Sequence, residues 1–271
     1  MKTSDPGSQN IQTFIQLETR GDFFELLQKI SPQSLYTNLQ GNASAMPVPT
    51  QATTILAFKY KDGVVVAADR RATSGNFIVH EHADKVLEID EHSVLALSGV
   101  PAMAFEMAHI LEHSFRYFRR SQLQELSIEA KVRALAQLIK NNLPLIMQGV
   151  GVVVPIFVTY DFKSLEPGGK VFFYDALGAQ FEVADYSTTG SGSLAVRSLL
   201  YYENRWGAKP LVQRDEKEVL MLALRCLDCA AEADTATGGI NARKHVYPMI
   251  KLIRKDGITQ VPDSTLKEIK L

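Results

Sequence analysis

Residues 53–69 read TTILAFKYKDGVVVAAD. Two runs of β-branched, aromatic and aliphatic residues flank Lys61-Asp62-Gly63, and Gly63 can supply the positive φ of a tight turn. The segment reads as a β-hairpin. It opens on two adjacent threonines, Thr53 and Thr54, and closes on Asp69. Threonine is β-branched and common at strand starts, so the pair by itself asks for no special account.

The texture differs sharply on the two sides of Thr53. Residues 1–52 are rich in Ser, Gln, Asn, Thr and Pro. One amphipathic stretch, DFFELLQKI, interrupts them with Phe23, Phe24, Leu26, Leu27 and Ile30 at helical spacing. The segment reads as a flexible arm with one docking helix, ending in the linker NASAMPVPTQA. Beyond the hairpin, VLEI, SVLALSG, PIFVTYD, KVFFYDA and HVYPMIKLIRK read as strands. Between them lie four helical stretches: PAMAFEMAHILEHSFRYFRRS, IEAKVRALAQLIKNNL, SLAVRSLLYYENRW and DEKEVLMLALRCLDCAAEAD. The first of these sets Met103, Met107, Ile110, Leu111 and Phe118 along one side and gathers arginines at its C-terminal end, where they suit the helix dipole. Strands, two helices, strands, two helices and a last strand make an α+β pattern: two antiparallel sheets covered by helix pairs.

Bulk properties narrow the function. The 271 residues are 46% hydrophobic and carry a net charge of -1, with no long basic run, so neither nucleic acid nor an anionic membrane is suggested as partner. No apolar run approaches the ~20 residues of a membrane helix, and MKTSDPGSQN lacks the apolar core of a secretory signal. Cys226 and Cys229, in CLDC on a helical stretch, read as two packed thiols of a reduced, cytoplasmic protein.

Three constellations could carry chemistry. HILEH, with His109 and His113 one helical turn apart beside Glu112, fits the pattern of inverted zinc peptidases, although no third ligand stands out. TTGSGSLA (188–195) leads glycines into a helix but lacks the Lys-Thr or Lys-Ser of a phosphate loop. The third constellation is dispersed. A cut between Ala52 and Thr53 would give Thr53 a hydroxyl nucleophile and a free α-amine of pKa ~7.7–8.0 on one residue, hence nucleophile and base together. A nearby cation would favour the alkoxide, and Lys85 is the candidate, with Asp69 to hold it. Gly99 in LSGV could offer an unhindered backbone N–H to an oxyanion. Each of the three also has a plain reading, as a turn carboxylate, a surface lysine and a helix-entry turn.

The ordered set TTILAFKYKDGVVVAADRRATSGNFI, HADKV, LALSGVPAMAFEMA, MQGVGVVVPIFVTYD, TTGSGSLAVRSL and AADTATGG resembles the β subunit of a 20S proteasome, closest to the bacterial, actinobacterial type. The resemblance covers about residues 53–266 and implies a four-layer αββα sandwich of the N-terminal nucleophile hydrolase type. It further implies that residues 1–52 are a propeptide removed on maturation and 53–271 the catalytic domain. Residue by residue, Thr53 matches the nucleophile, Asp69 and Lys85 the catalytic pair, and Gly99 the oxyanion-hole glycine. Ser191 matches the serine near the α-amine, Asp234 the aspartate that orients it, and Thr237 the hydroxyl that follows. The pocket for the side chain before the scissile bond falls on Ala72, Val79, Ala83, Leu87, Leu97 and Pro101, whose small or apolar character implies cleavage after hydrophobic residues. Also implied are a homo-heptameric β ring, α-subunit rings, a ring-shaped unfolding ATPase and unfolded protein substrates, with no metal or organic cofactor.

One departure stands out. The family usually carries Gly before the nucleophile, and here the residue is Ala52. Its methyl restricts φ at the turn that self-cleavage requires, so processing is expected to be slower. The rival readings are a non-catalytic, unprocessed ring subunit, a zinc peptidase using His109, Glu112 and His113, and the related two-component protease with hexameric rings.

Overall fold

The hairpin forms as read. Strand β1 (Thr54–Tyr60) pairs antiparallel with β2 (Gly63–Ala68) in the register Ile55 to Ala68 and Tyr60 to Gly63. A computed structural model of the chain describes residues 53–74, 77–147, 151–164, 168–241 and 243–269. The expected arm helix and Ala52 lie outside the described residues.

Side-chain alternation along β1 and β2 explains why the hairpin is apolar almost throughout. Leu56, Phe58, Val65 and Ala67 enter one core; Ile55, Ala57, Val64, Val66 and Ala68 enter another. Both faces are covered, so neither strand has a wet side on which to place polar residues. The sheet runs β10 (Tyr186–Gly190), β1, β2, β11 (Met249–Arg254), β12 (Gly257–Gln260), all antiparallel. A second antiparallel sheet runs β5 (Val86–Asp90), β6 (Ser93–Ala96), β7 (Ile156–Tyr160), β8 (Gly169–Tyr174), β9 (Gln180–Val183). A separate short hairpin joins β3 (Ala72–Ser74) to β4 (Phe77–His80).

Three apolar cores order these parts. In the first, the β1–β2 face packs against α4 (Ser193–Trp206) and α5 (Glu216–Ala233) through Val196, Leu200, Leu220 and Leu224. The second lies between the sheets, where Ile55, Val64 and Val66 meet Val86, Val94, Ile156 and Val158. The third sets Leu95, Phe157 and Tyr174 against α1 (Pro101–Gln122) and α2 (Ile128–Asn141). Short helices α3 (Leu143–Met147) and α6 (Asp263–Glu268) and a 3-10 turn at Leu211–Gln213 complete the described elements.

Local signals set the helix ends. Proline opens α1, where no N–H partner is needed, and Ser127 accepts the Ala130 N–H to cap α2. Asp215 and Glu218 form a reciprocal capping box on α5. Two expectations need correction. The buried stripe of α1 is Ala104, Met107, Ala108, Leu111 and Phe115, and Ile110 is exposed. At 3.6 residues per turn these five positions share an arc of about 100°, and Ile110 falls outside it. Both cysteines are free, but only Cys226 is buried; Cys229, three residues on, faces outward.

Candidate active site

Strand β2 delivers Asp69 to the edge of the central core. Its side chain is fully buried, a position that demands partners. Four donors supply them. Oδ1 accepts the Thr54 N–H at 2.9 Å and the Lys85 ammonium at 2.8 Å; Oδ2 accepts the N–H groups of Arg71 at 2.9 Å and Gly238 at 3.0 Å. Lys85, one residue before β5, also donates to the Arg71 carbonyl at 2.6 Å. Burial pushes the Lys85 pKa below the ordinary lysine value, and the neighbouring Asp69 carboxylate opposes that shift without cancelling it.

The other side of Thr53 is built from β10 and the turn into α4. Gly190 stands opposite Thr54 in the register, with φ +99°. A Cβ there would lie 1.6 Å from the Thr53 carbonyl oxygen, so only glycine fits. This approach lets the Ser191 N–H donate to that carbonyl at 3.0 Å. The Ser191 hydroxyl donates to Asp234 Oδ2 at 2.5 Å, the Thr237 hydroxyl donates to the same oxygen at 2.6 Å, and the Ala236 N–H reaches Oδ1 at 3.1 Å. Partial burial would raise the Asp234 pKa, but these hydrogen bonds outweigh it and hold the carboxyl below the usual carboxylate range.

Gly99, between β6 and α1, has φ +113°, and a Cβ on it would lie 2.1 Å from the Val152 carbonyl oxygen. It forms a bridge with Val153 whose two hydrogen bonds run from the Val100 N–H to Val152 and from the Val154 N–H to Ser98. That ladder therefore does not consume the N–H of Gly99 itself.

Thr53, Lys85 and Gly99 line one cavity of about 700 Å³. Of the residues expected around the substrate side chain, Ala72, Ala83, Leu97 and Pro101 line it, joined by Ala104 and Phe105. Val79 and Leu87 are not among its lining residues. Val79 is exposed on β4, and Leu87 packs partly buried against the α1–α2 core, because alternation along β5 sends Val86 the other way. The wall also carries His80, His82 and Asp84.

HILEH lies on α1, away from this constellation. Glu112 is paired with Arg116 at 2.7 Å, and His113 Nδ1 contacts the His109 carbonyl oxygen of its own helix at 2.8 Å. Among the described residues, the one group whose potential ligand atoms converge is Glu91, His92 and Glu125, which does not include these three.

Two contributors went unread in the sequence. Thr54 donates its N–H to Asp69 and places its hydroxyl 2.6 Å from that of Thr237. Arg71 donates Nη1 to the carbonyls of Thr235 and Thr237 at 2.9 and 3.2 Å, tying the loop after α5 to the end of β2. The doubled threonine was the only signal for the first; the ambiguous DRR run hid the second.

Comparison with known proteins gives a consistent answer. A family model described as proteasome subunit matches residues 50–243. A proteasome subunit beta of Acidimicrobium ferrooxidans is 36% identical over 248 residues, covering 92% of this chain and 87% of that protein. Proteasome subunit beta 2 of Thermomonospora curvata is 36% identical over 251 residues, 91% of this chain and 85% of its own length. The proteasome subunit beta of Streptomyces griseus is 34% identical over 254 residues, with 91% and 85% covered.

Proposed function

The chain belongs to the proteasome β-subunit family, and from that premise we propose that it is a threonine endopeptidase made active by cleavage between Ala52 and Thr53. The observation that carries this reading is the shared cavity: Thr53 lines it together with Lys85, whose ammonium is held by buried Asp69, and with Gly99. Residues 1–52 are the propeptide and 53–271 the catalytic domain. The order of the three cores, helices on sheet on sheet on helices, supports a four-layer αββα sandwich of the N-terminal nucleophile type.

In the mature subunit the Thr53 hydroxyl attacks the substrate carbonyl and its proton passes to the α-amine, which is partly unprotonated near neutral pH. Cationic Lys85 stabilises the developing alkoxide electrostatically and disfavours a second positive charge on the amine. The Gly99 N–H donates to the oxyanion. The scissile C–N bond breaks, the leaving amine takes up the proton, and an ester to Thr53 remains. Water then attacks that ester with the amine as base, releasing the second peptide and restoring the hydroxyl. Ser191, Asp234 and Thr237 orient the amine end of the residue. The apolar wall of Ala72, Ala83, Leu97, Pro101, Ala104 and Phe105 suits a hydrophobic side chain before the cleaved bond. No step requires a metal or organic cofactor.

Family membership supports assembly with α subunits into a 20S core. The proposed setting is cytoplasmic: heptameric β rings between α rings, with an unfolding ATPase feeding unfolded proteins. No helix among the described residues is long and apolar enough to cross a membrane. The test is co-expression with an α subunit, then intact mass and turnover of a fluorogenic peptide with a hydrophobic P1 residue. Wild type is expected to lose residues 1–52, more slowly than the Ala52→Gly variant, and to cleave the peptide; Thr53→Ala retains the arm and is inactive. A wild-type chain that keeps Met1 and stays inactive in the assembled complex would overturn the reading in favour of a structural ring subunit.

A further inference from the structure

The two threonines that open β1 differ in their surroundings. Thr53 lines the cavity, whereas Thr54 is fully buried behind it. The Thr54 hydroxyl oxygen accepts the N–H of Gly192 at 3.0 Å and lies 2.6 Å from the Thr237 hydroxyl. Its partners fix the direction of every bond in the chain. A backbone N–H can only donate, so Gly192 gives its proton to Thr54. An ionised carboxylate can only accept, so Thr237 gives its proton to Asp234 at 2.6 Å. Each hydroxyl has one proton to donate, which leaves Thr54 as the donor to Thr237. The result is a directed series running from Gly192 through Thr54 and Thr237 to Asp234, whose Oδ2 also accepts from Ser191 at 2.5 Å.

The backbone of the same residue turns the other way. The Thr54 N–H donates to Asp69 Oδ1, the oxygen that also holds Lys85. Residue 54 is therefore bonded to both carboxylate clusters, to Asp69 through its amide and towards Asp234 through its hydroxyl. Thr53 is attached to it by a single planar peptide. We propose that Thr54 is a positioning residue: its hydroxyl, acting through Thr237 and Asp234, fixes where Thr53 presents its reactive groups. This rests on Thr53 being the nucleophile and goes beyond it by assigning the second threonine a separate task. The methyl group alone does not suffice, because valine keeps the shape but leaves the Gly192 N–H without its acceptor and the Thr237 oxygen without its donor in a buried setting.

The test compares Thr54→Val, Thr54→Ser and Thr53→Ala in the complex assembled with an α subunit, with turnover expressed per mature Thr53 terminus counted by intact mass. For Thr54→Val, kcat should fall roughly tenfold or more with KM changed less than about twofold, and Thr54→Ser should return kcat to within about threefold of wild type. Processing uses the same hydroxyl, so a valine complex that stays unprocessed while the serine complex matures also supports the inference. Should the valine variant not assemble, Thr54→Ala takes its place against Thr54→Ser under the same criterion. Valine turnover within about twofold of wild type, or serine as impaired as valine, would overturn it. Activity in Thr53→Ala would instead overturn the reading beneath, so the two failures are separable.

Discussion

Asp69 and Lys85 are held inside the protein with almost no exposed side-chain surface, whereas Ser191 is exposed and Asp234 half-buried where strand and loop meet helix. Both flanks are acid-centred hydrogen-bond clusters that reach Thr53 or its neighbour, but their energetics differ. The first is a buried ion pair: the Lys85 ammonium depends on Asp69 and one carbonyl, whereas Asp69 also holds three backbone N–H groups. The second is partly solvated at Ser191 and Asp234, where water can replace a lost partner, while its Thr54–Thr237 end is buried. One flank is thus bound up with the stability of the fold, and the solvated end of the other is open to tuning.

The largest effect is expected where that distinction is sharpest. Asp69→Ala leaves the Lys85 ammonium buried without its partner, which costs about 3–5 kcal/mol in unfolding experiments. Lys85→Met keeps the volume and leaves Asp69 its three backbone donors. It should therefore unfold closer to wild type while peptide turnover falls by roughly 10²–10³. Equal stability loss in the two variants would break the idea that the three backbone donors stabilise buried Asp69 without its lysine.

A middle-sized effect is expected at Asp234. Asp234→Asn should reduce turnover about tenfold, the scale of one hydrogen bond to a charged group. Its carboxyl has a depressed pKa in the folded state, so the native protein binds that proton less tightly than the unfolded chain. The stability it contributes is complete above the unfolded value of about 3.9 and is lost as pH falls through the folded pKa. Melting temperatures of wild type and Asp234→Asn should therefore converge below about pH 4. A gap that persists in acid would assign the difference to packing.

The smallest effect lies outside both flanks. His109→Ala with His113→Ala, or addition of a chelator, should leave peptide turnover within about twofold of wild type, because His113 Nδ1 already contacts its own helix and Glu112 is paired with Arg116. Chelator-sensitive turnover would revive the zinc reading of HILEH.

Legibility in the sequence followed burial and locality. The β1–β2 hairpin, α1, α2, α4 and α5 were readable because strand runs and the 3.6-residue period are local signals. Strand β10 was not: Tyr186–Gly190 is mostly small and polar, and it is a strand because distant β1 pairs with it, Leu56 opposite Thr188. The exposed four-residue strands β4 and β9 are too short to show a period and have no buried face to impose one. At the site, Asp69 and Gly99 sat at strand ends where side chains and N–H groups face clefts, while the roles suggested for Ser191, Asp234 and Thr237 came through resemblance alone.

What the sequence determined by itself is the α+β order of elements, the break in character at Thr53 and the apolar strands that must be covered on both faces. Those follow from propensity, periodicity and composition, each confined to a short window. The tertiary structure decided which polar groups meet: the Asp69–Lys85 pair, the Gly190 approach to Thr53 and the chain from Gly192 through Thr54 and Thr237 to Asp234. Partners separated by up to 183 residues leave no local pattern. A buried polar group finds them only when packing has closed off water, and that closure belongs to the whole fold.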